Sequence, residues 1–101
     1  MKILGLVDDL FLIAKVEGVI QKAELSIKFL AVEDILKREF DYVIVDMEHK
    51  DAFRIIEEFP DKSLCFGSHV KTELFQKATH LGCRRAFPRS VFFDKLPELL
   101  V

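Results

Sequence analysis

The chain has 101 residues, 50% of them apolar, enough for one core and too few for two domains, so one domain over residues 1–101 is expected. Its 15 Lys and Arg against 17 Asp and Glu leave a formal net charge of −2, which provides no strong field for nucleic acid or an anionic membrane. No apolar run approaches the roughly 20 residues of a transmembrane helix, and Met1-Lys2 leads into a strand-like run rather than a signal peptide, so a cytoplasmic protein is expected.

Strand-like and helix-like runs alternate from the first residues onward. Lys2 to Val7 reads as a buried strand, followed by a helix ending near Glu24 whose Leu12, Val16, Val19, Ile20 and Ala23 share one face. Leu25 to Leu30 alternates apolar with polar, as a half-exposed edge strand does. Ala31 to Phe40 reads as a short helix and Asp41 to Asp46 as a central strand. Asp51 to Phe59 forms a third helix, stopped by Pro60-Asp61, and Leu64 to Ser68 a fourth strand. Lys71 to Leu81 is a fourth helix with Gly82 as its left-handed cap, and Arg84 to Phe87 a short fifth strand. The tail from Ser90 to Leu100 has helical tendency, but Pro97 predicts a break or restart. Five such pairs with right-handed crossovers imply an α/β three-layer αβα sandwich on a parallel sheet of order 2-1-3-4-5.

In that order the acids ending Ile3-Leu4-Gly5-Leu6-Val7-Asp8-Asp9 and Tyr42-Val43-Ile44-Val45-Asp46 emerge at the carboxyl edge of the sheet, where open α/β folds bind ligands. Their order and spacing resemble the receiver domains of two-component response regulators, a flavodoxin-like fold. The resemblance spans nearly the whole chain and makes it an atypical stand-alone receiver without an output domain. It implies that Asp8 and Asp9, with Asp46 and the backbone carbonyl of Glu48, hold Mg2+, and that Asp46 accepts a phosphoryl group from a histidine kinase. It also implies that Ser68, at the end of the fourth strand, contacts the phosphoryl group. Gly82 matches the family's glycine before the fifth strand, but the Lys-Pro pair that follows in the family is replaced by Pro88-Arg89, which puts Arg89 in the lysine's place. The family's Pro-Gly and Asp-Gly rich loop is also shortened here to Met47-Glu48-His49-Lys50. Phe87, or Ala86 in strict register, takes the place of the family's aromatic switch.

The residue types suit this chemistry, because a hard magnesium ion takes a few carboxylate, carbonyl and water oxygens and offsets repulsion between a carboxylate nucleophile and an incoming phosphoryl group. Other signals are bland. Cys65 and Cys83 lack CxxC spacing and read as two buried free thiols. His49, His69 and His80 are dispersed, although His49 and His69 both fall at the pocket edge. Phe92-Phe93 beside Leu96, Leu99 and Leu100 predicts exposed apolar surface, and with it a homodimer through the fourth helix, fifth strand and C-terminal segment. The expected function is a receiver-like signal-transduction protein that works with a histidine kinase or other signalling protein. The alternatives are a non-phosphorylated pseudo-receiver that acts as an interaction module and a small Mg2+-dependent hydrolase or phosphatase.

Overall fold

Two charge-free runs, Ile3–Val7 and Val43–Val45, form the middle of the molecule, because strands covered on both faces need apolar side chains in both directions. The computed structural model describes residues 1–100, and Val101 lies outside the described residues. The elements are β1 (Ile3–Leu6), α1 (Leu10–Lys22), β2 (Ile27–Phe29), α2 (Val32–Leu36), β3 (Tyr42–Asp46), α3 (Ala52–Glu58), β4 (Ser63–Gly67), α4 (Thr72–His80), β5 (Ala86–Pro88) and α5 (Arg89–Leu99). All strands are parallel, in the order β2-β1-β3-β4-β5, and the fold is a flavodoxin-like α/β three-layer sandwich.

Side-chain alternation along β3 divides the core. Val43 and Val45, with Met47, pack among Ile35, Ala52, Ile55 and Ala78 from α2, α3 and α4. Ile44 faces the other way, among Val16, Ile20, Phe92 and Leu96 from α1 and α5. β2 closes one edge with Ile27 and Phe29 half-buried and Lys28 exposed. Beside it, Gly5 is required by close approach, since a Cβ there would lie 2.6 Å from the Phe29 ring.

Two helices end in the same left-handed turn. After α4, Gly82 has φ 95°, its N–H donates to the Thr79 carbonyl at 3.0 Å, and the Cys83 N–H donates to Ala78 at 3.0 Å. After α1, Glu24 takes φ 60° without being glycine, with its N–H on Gln21 at 2.9 Å and that of Leu25 on Ile20 at 3.1 Å.

Three expectations need correction. α5 runs unbroken through Pro97, which sits in the last turn and forfeits only the bond its missing N–H would make to Phe93. Phe92 and Phe93 are core residues rather than exposed ones, 0% and 8% accessible, and with Leu96 and Leu100 they bury the helix against the sheet. α2 is also shorter than its pattern suggests. The chain leaves the helix at Leu36 so that Phe40 can enter the core 4.9 Å from the Phe59 ring, while the Asp41 carboxylate accepts the Lys2 N–H at 2.6 Å. No helix among the described residues is long and apolar enough to cross a membrane.

Candidate functional site

Parallel strands all finish on one edge, so residues that follow different strands meet there. Asp46 is the last residue of β3. The pairing of Leu6 with Val45 brings Asp8 and Asp9 just past its neighbour, and the pairing of Gly67 with Pro88 puts Ser68 and Arg89 one step beyond the same rung.

Asp46 is 7% exposed. One carboxylate oxygen, Oδ1, accepts the Glu48 N–H at 2.9 Å, and the other has no hydrogen-bond partner among the described residues. Burial raises its pKa above the ordinary carboxylate value, and the nearby Glu48 charge adds to this, while the Glu48 N–H and the Arg89 charge oppose it.

The turn that follows β3 carries a side chain whose role the sequence reading confined to its backbone. The His49 N–H donates to the Asp46 carbonyl at 2.9 Å, and this tight turn sets Glu48 between two cations. Glu48 Oε1 accepts from Lys71 Nζ at 2.8 Å and Oε2 accepts from Arg89 Nη2 at 2.6 Å. The hydrogen bond from Lys71 is the main reason the Glu48 pKa falls below its ordinary range; Arg89 acts in the same direction and partial burial opposes both. Arg89 Nε is buried without a hydrogen-bond partner among the described residues. Lys71, expected only as the start of the fourth helix, lies just before α4 and so on the carboxyl edge.

The two acids after β1 are occupied differently. Asp8 Oδ2 lies 3.2 Å from His49 Nε2. His49 Nδ1 accepts the Asp51 N–H at 3.0 Å, so a neutral ring carries its proton on Nε2 and donates it to Asp8. Asp9 is the N-cap of α1 and accepts the Leu12 N–H at 3.1 Å. The Ser68 carbonyl accepts the Lys71 N–H at 3.1 Å, and its hydroxyl makes no hydrogen bond among the described residues. Among the described residues no three His, Cys, Asp or Glu side chains gather as a metal-binding group. As arranged, the Asp8 carboxylate is turned to His49 and the Asp9 carboxylate to the first turn of α1.

Three exposed apolar side chains stand on the rim of the edge among charged ones such as Asp8 and Lys71. Leu10 and Phe11 at the start of α1 are 81% and 89% exposed, and Val70 in the β4–α4 loop is 70% exposed. A cleft of about 520 Å³ lies at the opposite edge, where Lys2, Lys28 and Arg38 line it, remote from these acids. Comparison with protein-family models, curated proteins and solved structures gives no match for this chain.

Proposed function

We propose that the chain is a receiver-like signalling module that acts through protein contacts, with Glu48 as the resident anion of its carboxyl-edge site. The supporting observation is the Glu48 carboxylate held between Lys71 and Arg89. In the receiver family the cation after the fifth strand holds a transferred phosphoryl group; here the corresponding cation already has a partner on the chain itself. An incoming phosphoryl group would have to displace two charge-assisted hydrogen bonds before Arg89 could serve it. The exposed Leu10, Phe11 and Val70 around the site offer the apolar area that a protein partner covers.

A second reading, phosphorylation of Asp46 itself, draws on its unpartnered carboxylate oxygen. Acetyl phosphate with magnesium separates the two. Wild-type protein is expected to stay unmodified by intact mass, whereas Glu48→Gln becomes labelled at Asp46. Wild-type labelling as fast as that of Glu48→Gln, abolished in Asp46→Asn, would replace the first reading with the second.

A further inference from the structure

Far from Glu48, the two cysteines meet inside the fold. Cys65 lies in the middle of β4, and Cys83 follows the left-handed turn that ends α4, where its N–H is held by the Ala78 carbonyl at 3.0 Å. Their sulfurs are 3.6 Å apart. Both thiols are free and buried, yet Cys83 helps line a cleft of about 400 Å³ walled by Phe75 and Thr79 of α4, Gly82, Arg84 and Ala86. Cys83, 2% exposed, borders that cleft, and Cys65, 0% exposed, does not.

The two thiols also differ electronically. The hydrogen bond from the Cys65 S–H lowers the Cys83 thiol to about 7, with the Arg85 N–H and the Arg85 charge assisting and burial opposing. The same hydrogen bond, with burial, pushes Cys65 well above its usual range and keeps it protonated.

We propose that Cys83 and Cys65 form a hydroperoxide-sensitive dithiol, with Cys83 the attacking thiol, Cys65 the resolving thiol and the α4–β5 cleft the entrance. The Cys83 sulfur attacks one peroxide oxygen; the S–O bond forms, the O–O bond breaks, and the departing oxygen leaves as water after taking the thiol proton. The Cys65 sulfur then attacks the sulfenic sulfur, the S–S bond forms, and the hydroxyl leaves as a second water with the Cys65 proton. Two electrons pass from the thiols to the peroxide. Closure needs the sulfurs to approach from 3.6 Å to about 2.05 Å, and it ties β4 to the loop entering β5. Pairs of this kind in reducing compartments are transient and redox-sensing rather than structural.

Folded wild-type chain treated with hydrogen peroxide is expected to lose two hydrogens by intact mass and to yield one cross-linked peptide pair joining Cys65 to Cys83. Cys65→Ser should instead accumulate a sulfenic acid at Cys83 that dimedone traps, and Cys83→Ser should consume peroxide about tenfold more slowly. The wild-type protein alone decides the matter if either variant fails to fold. Retention of both thiols in the folded chain at a dose that oxidises the urea-unfolded chain would overturn the proposal, as would disulfides formed only between chains.

Discussion

Beneath α5, the Phe92 and Phe93 rings lie 5.1 and 5.5 Å from Phe66, in a layer held mainly by apolar contact, with the Lys15 ammonium 4.7 Å from the Phe93 ring at its margin. At the carboxyl edge of the same sheet, Asp46, Glu48, Lys71 and Arg89 are held by charge, with Phe11 left 89% exposed nearby. The first region is insensitive to pH and salt and sensitive to volume. The second has the reverse sensitivities, because partly solvated ion pairs respond to screening and protonation. A fold built this way keeps its architecture whatever happens at the edge, so the site can vary without unfolding the sheet.

Phe92→Ala gives the sharpest contrast. Phe92 is fully buried, so truncation is expected to cost about 3–5 kcal/mol in urea denaturation, out of a total of roughly 5–15 kcal/mol for a domain. Phe11→Ala should change stability by less than about 0.5 kcal/mol. Equal losses from the two would end the division between a volume-limited layer and a free rim.

Gly5→Ala comes next, with an expected loss of about 1–3 kcal/mol, because the new methyl would stand 2.6 Å and 2.7 Å from two atoms of the Phe29 ring. Combining it with Phe29→Ala should recover part of that loss, and strict additivity of the two changes would rule out the clash as its cause. The paired left-handed turns provide a smaller effect of each sign. Gly82→Ala, at φ 95°, should cost about 1–2 kcal/mol, whereas Glu24→Gly, at φ 60°, should gain about 1 kcal/mol by thermal unfolding. Destabilisation by Glu24→Gly would mean that its side chain supports the turn.

The two regions were not equally legible in the sequence. The alternation of elements follows from periodicity and the strand order from right-handed crossovers, and the half-exposed β2 and the cap at Gly82 are visible in the pattern of Leu25 to Leu30 and in one glycine. Periodicity says nothing about how much area a neighbouring helix can cover. That is why Phe92 and Phe93 read as surplus apolar surface until Phe66 and Leu96 are seen around them. At the edge, topology alone brings Asp46, Ser68 and Arg89 to neighbouring positions. Rotamer choice is invisible in sequence, so the direction of the Glu48 carboxylate, the Lys71 contact and the turning of His49 towards Asp8 appear only in three dimensions.

The smallest expected effect tests the edge most closely, because Asp46 and Glu48, two residues apart, should shift the stability curve in opposite directions. For Asp46 the folded carboxyl has a pKa above its ordinary 3.8, chiefly from burial, so its favourable contribution is present in full below 3.8 and is lost as pH rises through the folded value. Asp46→Asn should therefore melt at a temperature that rises relative to wild type as the pH climbs from about 3 towards 7. For Glu48 the folded pKa lies below its ordinary 4.5, chiefly through the Lys71 hydrogen bond, so its contribution is present above 4.5 and is lost as pH falls through the folded value. Glu48→Gln should melt below wild type at neutral pH and converge with it in acid, and added salt should shrink the gap. Thermal melts followed by circular dichroism across that pH range measure both. Shifts of the same sign in the two variants would mean that Asp46 is not the buried member of the pair and that burial does not divide the roles of the two carboxylates.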